Sequence, residues 1–171
     1  KSRGLGDVYK RQVQVIVLRA GLVVGGKGSS FQILTRLVRR LPVMVCPSWT
    51  RTKTQPVALS DVVWALDQSL RLPDLESRVF DLGGAEPLSY RELMAQTAEL
   101  MGKKRLMIPV PFVSPGLSRL WVTLVTGAPK GLVGPLVESL RHEMLAREKE
   151  EVRFTSEPGT SIQTMLKTAL E

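Results

Sequence analysis

A glycine-rich stretch near the start of the chain has the residue types of a site that binds a phosphate or a cofactor. It reads LRAGLVVGGKGSSF and runs from Leu18 to Phe31. Its glycines follow an apolar run and precede a helical pattern. Backbone at such a junction can approach a ligand closely, because no side chain intervenes. The stretch therefore indicates a nucleotide-binding or cofactor-binding turn.

One interpretation of this stretch is a P-loop. Residues Gly21 to Lys27 fit the pattern G-x-x-x-x-G-K, which cradles the phosphates of a nucleoside triphosphate. The next residue is Gly28, however, and not the serine or threonine whose hydroxyl holds magnesium. Ser29 comes one position late, and Asp81 is the candidate for the Walker B carboxylate that would bind magnesium. A P-loop nucleotide binder stays a distant alternative.

The rest of the pattern predicts an α/β fold. The apolar, β-branched run from Val13 to Ala20 is typical of a strand buried on both faces of a parallel sheet. Strand and helix patterns then alternate, which favours parallel strands joined by helices. The predicted elements are a helix over Ser29–Leu41 capped by Ser29 or Ser30, a strand over Val43–Cys46, a polar loop over 47–54, an extended piece over 55–59, a helix over Asp61–Leu70 capped by Ser60, a strand over 77–84, a helix over Tyr90–Met101 opened by the capping box Ser89–Glu92, an extended piece over 106–111, and helices over 114–127, 131–152 and 161–171.

Composition excludes several classes of protein. The chain has 171 residues, of which 43% are hydrophobic and 23% charged, as in a folded domain with a core. One cysteine and one histidine are too few for a zinc site, and a single cysteine forms no internal disulfide. These counts favour a reducing compartment, and we expect a cytoplasmic protein. No apolar run has the length of a membrane span.

The first twelve residues, Lys1 to Gln12, stand apart from this pattern. Their segment DVYKRQ resembles the translated transposase end sequence used to build DNA sequencing libraries. We therefore expect 1–12 to be an artefactual or disordered leader, the alternative being a natural charged arm. The leader holds four cations and one acid, hence +3 of the formal charge of +8. The remaining charge is mild and dispersed, so we expect no nucleic-acid partner.

Three segments in order carry a resemblance to a known family. They are VIVLRAGLVVGGKGSSFQIL, then TQPVALSDVVWAL, then RVFDLGGAEPLSYREL. This order and spacing resembles the C-terminal half of an extended or atypical short-chain dehydrogenase/reductase, near the NmrA-like and epimerase-dehydratase-like proteins. The resemblance covers residues 13–171. It implies the last strands of a Rossmann-like parallel sheet together with a small α/β subdomain on the substrate side.

The resemblance also implies which residues face the cofactor. In that family the loop after this strand passes the nicotinamide end of NAD or NADP. The matching residues here are Ala20, Gly21, Leu22 and Val23. Family members often carry proline and asparagine where this chain has Ala20 and Leu22, which makes a sugar-nucleotide substrate doubtful.

A substrate pocket is implied beside that turn. Its predicted residues share polar or aromatic side chains near the turn, near the pocket floor or in the region where relatives bind anions: Ser30, Phe31, Trp49, Thr54, Gln55, Arg141 and His142. For Trp49 simple packing is an equal alternative. For Arg141 and His142 a solvated helix face, with Arg141 near Glu138 or Glu143, is the alternative that we favour. Asp61 is interpreted as a structural residue at a helix start.

Two motifs of the family are missing from this sequence. There is no G-x-x-G-x-x-G turn for the pyrophosphate, and neither Tyr9 nor Tyr90 is followed by lysine four positions later. The resemblance therefore implies a fragment of an NAD(P)-dependent oxidoreductase or epimerase-like protein with an unknown small-molecule substrate. The alternative is a non-catalytic NAD(P)H-binding sensor or assembly subunit.

Overall fold

A computed structural model describes residues 15–71, 78–110, 138–146 and 159–171, and the single positions 123, 127, 131 and 135. The predicted leader lies outside the described residues. So do nearly all of the helix predicted over 114–127 and half of the one predicted over 131–152.

Strands and helices alternate along the described chain. The elements are β1 (Ile16–Ala20), β2 (Val23–Val24), α1 (Ser29–Arg40), β3 (Val43–Cys46), a 3-10 helix (Ser48–Arg51), β4 (Lys53–Thr54), β5 (Val57–Ala58), α2 (Leu59–Arg71), β6 (Arg78–Leu82), β7 (Leu88–Ser89), α3 (Tyr90–Leu100), β8 (Leu106–Pro109) and α4 (Ile162–Leu170).

Most of the strand pairs are parallel. β1 pairs with β6 from Ile16 opposite Arg78 to Ala20 opposite Leu82. The pairs β2–β5 and β3–β8 are also parallel, and only the short pair β4–β7 is antiparallel among the described residues. The prediction of an α/β fold with a parallel sheet is therefore confirmed.

The first strand is covered on one face rather than two. Its alternate residues pack with α2 in a small cluster around Ala65, Phe80 and Leu82. On the opposite face Val17 is 41% exposed and Val79 of the neighbouring strand is 42% exposed. Among the described residues β1 is therefore covered on one face, whereas its sequence pattern is typical of a strand covered on both.

The main core lies between α1, α3 and α4. α1 buries its apolar stripe, including Phe31, Leu34 and Val38, against residues of the other two helices. Its N-cap is Gly28 in an extended conformation, with no side-chain hydrogen bond. The prediction that Ser29 or Ser30 caps this helix was wrong, since both residues lie inside its first turn.

The cap predicted from the sequence is found at α3 and not at α2. The capping box of α3 is confirmed: Ser89 Oγ accepts from the Glu92 N–H at 3.2 Å, and the Glu92 carboxylate accepts from the Ser89 N–H at 2.7 Å. α3 is followed by Gly102 at a φ of 63°, where a glycine avoids backbone strain. α2 begins at Leu59, so Ser60 is not its cap, contrary to expectation.

The segment predicted as a polar loop over 47–54 is more regular than expected. It contains the 3-10 helix and β4, and β4 pairs with β7. The predicted helix over 131–152 is shorter than expected, since helical structure ends at Ser139 and the chain then turns. No described helix is long and apolar enough to cross a membrane.

Candidate functional site

Two glycine turns lie at the same edge of the parallel pair β1–β6. Gly21 follows the last residue of β1, and Gly83 follows the last residue of β6. Since Ala20 is opposite Leu82, both turns leave the carboxyl ends of adjacent strands. In open α/β sheets this edge is where ligands bind. The predicted cofactor-binding residues Ala20, Gly21, Leu22 and Val23 lie at this edge of the strand pair.

The turn at Gly21 is exposed but closely approached by a distant segment. A Cβ built on Gly21 would lie 2.8 Å from Met144 Cβ. A side chain at this position would therefore displace Met144. We predicted a small residue at position 21 because a cofactor would contact the backbone there. The close approach of Met144 gives a second reason for glycine at this position.

The backbone after Gly21 does not form a continuous phosphate cradle. The Leu22 carbonyl accepts from the Val57 N–H at 2.9 Å, and Val23 begins β2. The Gly28 N–H, which a P-loop would direct at phosphate, donates to the Gly25 carbonyl at 2.9 Å. Because these groups are used inside the chain, the geometry disfavours the P-loop interpretation.

A short segment, Met144 to Ala146, crosses beside the turn, and we call it the strap. Its Met144 N–H donates to the Lys53 carbonyl at 3.1 Å, and the Met144 carbonyl accepts from the Gln55 N–H at 2.9 Å. Thr54 and Met144 form an isolated parallel bridge. β4 and the residue after it therefore hold the strap next to Gly21.

The Gln55 side chain joins the strap to the second glycine turn. Its Nε2 donates to the Gly84 carbonyl at 2.7 Å, and its Oε1 accepts from the Ala146 N–H at 3.3 Å. Both ends of the amide thus bind backbone. Gln55, predicted to line the substrate pocket, therefore links the turns and segments that surround the site.

An apolar cavity of about 50 Å³ lies beside Leu22, the residue that follows Gly21. Almost all of its surface is carbon. The residues that line it come from the turn, α1, the 3-10 helix, α3 and the segment before the strap: Leu22, Ser30, Ile33, Leu34, Leu37, Trp49, Tyr90, Met94 and Leu140. Two of the predicted pocket residues, Ser30 and Trp49, are thus brought together with Leu22.

Aromatic rings form one wall of the cavity. The Trp49 and Tyr90 rings meet edge to face, with centroids 6.5 Å apart and planes at 69°. Trp49 Nε1 is buried with no hydrogen-bond partner among the described residues. Burial raises the pKa of the Tyr90 phenol, although the nearby Thr54 hydroxyl lowers it in part. Tyr90 therefore stays a neutral phenol at ordinary pH.

The remaining predicted pocket residues lie elsewhere. Phe31 is 1% exposed and belongs to the main core, so it does not line the cavity. Arg141 and His142 are exposed and stand in a turn and a bend rather than in a helix, contrary to the sequence interpretation. Arg141 pairs with Glu138 at 3.3 Å, which is the pairing proposed as its alternative.

Sequence reasoning missed several residues of the site. Tyr90 was predicted at the start of a helix and noted only for lacking a lysine four positions later, and Leu140 and Met144 were placed in the helix predicted over 131–152. The paired glycines after β6 were a signal for a close approach. A Cβ on Gly84 would lie 1.8 Å from the Pro56 carbonyl oxygen, and one on Gly83 would lie 2.5 Å from Gln55 Cδ. No group of three metal-binding side chains occurs among the described residues.

Comparison with known proteins supports the fold. No family model and no curated protein matches the sequence. Among solved structures, the triphenylmethane reductase of Citrobacter sp. aligns with 95% of this chain and 55% of its own, at a TM-score of 0.70 and 16% identity. A nucleoside-diphosphate-sugar epimerase of Staphylococcus aureus aligns with 95% of this chain and 55% of its own, at a TM-score of 0.65 and 14% sequence identity.

A human protein extends the comparison. The human epimerase family protein SDR39U1, solved with NADPH, aligns with 91% of this chain and 48% of its own, at a TM-score of 0.62 and 18% identity. The chain spans about half the length of these solved structures. At these identities the comparison establishes architecture alone. The chain therefore has the Rossmann-like α/β fold that these epimerases and reductases share.

Proposed function

We propose that this chain is part of an NAD(P)-dependent oxidoreductase or epimerase-like protein that acts on a small molecule. The observation that carries the proposal is the pair of glycine turns at the carboxyl ends of β1 and β6, beside a cavity walled by Trp49 and Tyr90. In this proposal the backbone of Ala20, Gly21, Leu22 and Val23 contacts the nicotinamide end of the cofactor. Neighbours of this fold include proteins solved with NADPH and with NAD.

The proposal assigns the pyrophosphate site to residues outside this chain. A dinucleotide site needs a glycine-rich turn at a helix N-terminus, and the sequence has no G-x-x-G-x-x-G. The apolar face of β1 and β6 around Val17 and Val79 supports the same idea, since parallel sheets are ordinarily covered on both faces. The chain is then the C-terminal portion of a longer cytoplasmic protein that binds NAD or NADP.

A non-catalytic NAD(P)H-binding sensor is the second candidate. This candidate is favoured by the burial of Tyr90, which is 4% exposed and whose phenol pKa is raised by that burial. A buried phenol with no neighbouring lysine four residues later is poorly suited to proton transfer. In an active protein the proton donor would then be a residue other than Tyr90.

The cofactor proposal is tested on the product of the intact reading frame by titration with NADH, NADPH and magnesium-ATP. We expect dinucleotide binding, weakened about tenfold or more by Gly21→Val because the new side chain occupies the face of the turn. Lys27→Ala is the matched control in the same loop and should bind as the parent does. ATP binding that disappears with Lys27→Ala, without dinucleotide binding, would contradict the proposal.

A second variant separates cofactor contact from internal packing. Gly21→Ala forces Met144 aside, and Met144→Gly removes the Cβ that it meets. If Gly21 is small only to admit Met144, the double variant should bind the dinucleotide normally. We expect instead that stability is restored while binding stays weak, because the added methyl group still faces the nicotinamide.

A further inference from the structure

One face of the strand pair β3–β8 is apolar and exposed. In this parallel pair Val43 is opposite Leu106, and Val45 is opposite Ile108. All four side chains are exposed, and Leu106 is exposed by 61%. On the other face of the pair, Met44 is buried in the main core. The strand pair therefore presents a continuous aliphatic surface, which we call the β3–β8 face.

A cationic groove of about 720 Å³ adjoins the β3–β8 face at the start of β8. Leu106 lines this groove and also belongs to the β3–β8 face. The charged residues of the groove are four cations and one acid, namely Arg91, Lys103, Lys104, Arg105 and Glu99. The groove and the face together form one amphipathic surface with its positive charge at one end.

The end of α3 presents two lysines of this groove to the outside. The Lys103 N–H donates to the Ala98 carbonyl at 2.9 Å, across a turn in which Gly102 has a φ of 63°. The side chains of Lys103 and Lys104 are exposed and form no ion pair with a described residue. Both ammonium groups can therefore meet an external anion.

Arg105 serves the fold and gathers further charge beside the groove. Its guanidinium donates to the Val38 carbonyl at 2.7 Å and to the Arg39 carbonyl at 3.3 Å, so it binds the last turn of α1. α1 ends with Arg39 and Arg40, which are both exposed. Because β3 and β8 are parallel, the cations that precede each strand lie at the same end of the pair.

The residue types of this surface favour a lipid surface over a protein partner. The centres of protein interfaces are enriched in aromatic residues and arginine, and they are depleted in lysine. Here the four apolar side chains of the β3–β8 face are aliphatic, and lysines border them. Aliphatic side chains enter the boundary between headgroups and acyl chains, while lysines are attracted to anionic headgroups.

We propose that this amphipathic surface binds the surface of an anionic membrane. Lys103 and Lys104 contact the headgroups, and Leu106 and Ile108 enter the boundary below them. The association is peripheral. It involves the β3–β8 pair and is independent of the proposed cofactor site at the carboxyl ends of β1 and β6.

The test measures co-sedimentation of the product of the intact reading frame with vesicles. One set contains phosphatidylcholine alone, and the other is an equal mixture of phosphatidylcholine and phosphatidylglycerol. We expect binding to the mixed vesicles only, and we expect high salt to release the protein, because salt screens the lysines. Equal binding to both sets, or binding that high salt does not weaken, would overturn the proposal.

A lysine pair tests the charge. Lys103→Gln together with Lys104→Gln should weaken binding to the mixed vesicles about tenfold or more. The control, Lys27→Gln together with Lys167→Gln, removes the same charge from exposed positions elsewhere and should bind as the parent does. Equal losses in the two double variants would show that net charge alone matters, and would overturn the proposal.

A leucine tests the apolar contact. Leu106→Asn should weaken vesicle binding about fivefold or more, because it removes an apolar side chain from the boundary. Its control is Leu70→Asn on α2, where the parent residue is 87% exposed. Ile108→Thr, which keeps the β-branched shape, repeats the test at a second position, and circular dichroism checks that each variant is folded.

Two outcomes of these measurements would reject the apolar contact. Vesicle binding by folded Leu106→Asn and Ile108→Thr that equals the binding of Leu70→Asn would overturn the proposal. Analytical ultracentrifugation without vesicles detects the other outcome. A dimer that Leu106→Asn dissociates would also overturn the proposal, because a second copy of the chain would then cover the β3–β8 face.

Discussion

The Gln55 amide and the Gly84 carbonyl are joined by a hydrogen bond of 2.7 Å between residues 29 positions apart. The same amide accepts from Ala146, which is 91 positions away in the chain. One side chain thus fixes the relative positions of β4, the turn after β6 and the strap. The Gly21 turn is bordered by that strap, so the shape of the candidate site depends on this clamp.

Removing the clamp should destabilise the fold. Gln55→Ala leaves the Gly84 carbonyl and the Ala146 N–H without partners, which should lower the free energy of unfolding by about 1–3 kcal/mol. Urea denaturation followed by circular dichroism measures the change. Gln163→Ala, on the exposed side of α4, is the control and should change the stability by less than about 0.5 kcal/mol. Equal stability of the two variants would contradict the clamp.

Two glycines should respond oppositely to alanine. At Gly84 a Cβ would lie 1.8 Å from the Pro56 carbonyl oxygen, so Gly84→Ala must move backbone and should cost about 3 kcal/mol or more. At Gly131, a helical position, a Cβ would have no heavy atom within 4 Å. Gly131→Ala should be neutral or should stabilise by up to about 1 kcal/mol. Thermal melts of both variants give the comparison, and a harmless Gly84→Ala would refute the close approach.

Asp61 should hold the C-terminal helix in place. Its side chain is buried, at 4% exposure of the residue, and its carboxylate accepts from the Thr160 N–H at 3.0 Å and from the Thr160 hydroxyl at 2.7 Å. Asp61→Ala should lower the stability by about 2–4 kcal/mol, because it leaves a buried N–H unpaired. Hydrogen exchange should then accelerate in α4. Coupling measured with Thr160→Val identifies this contact as the cause, and additive effects would exclude it.

The capping box of α3 should make its stability depend on pH. Hydrogen bonds from the Ser89 backbone and side chain lower the pKa of Glu92. Because the folded-state pKa is depressed, the contribution is fully present above the ordinary glutamate pKa of about 4.3 and is lost as the pH falls through the lower folded value. Glu92→Gln should therefore differ from the parent at neutral pH and converge with it in acid. Parallel stability curves for the two proteins would contradict this assignment.

Elements with local causes could be predicted from the sequence. The capping box at Ser89 and the apolar stripe of α1 need only neighbouring residues, and both were expected. The alternation of strands and helices also indicated the parallel pairing. The N-caps of α1 and α2 were misplaced because more than one small or polar residue stands at each start, and propensity does not choose between Gly28 and Ser29.

The Gly21 turn can be recognised in the sequence, whereas most of the residues that surround it cannot. The turn at Gly21 follows from the glycines that come after an apolar run. The strap does not, because its pairing with Thr54 joins residues 90 positions apart and leaves no periodic signal. Tyr90 lines the cavity because it is the first residue of α3. A search for the motif Tyr-x-x-x-Lys does not identify this position.

The uncovered strand surface has a consequence for the life of this chain in a cell. Val17, Val79 and Leu106 lie on strands and are 41%, 42% and 61% exposed. Exposed apolar side chains on an uncovered sheet face are the kind of surface that chaperones and quality-control proteases bind. If the 171-residue chain were produced alone, we expect binding of this face by chaperones and proteases, rather than the rate of unfolding, to set how much of the chain accumulates. We therefore expect its half-life to lengthen when the face around Val17 is covered, even where its melting temperature does not change.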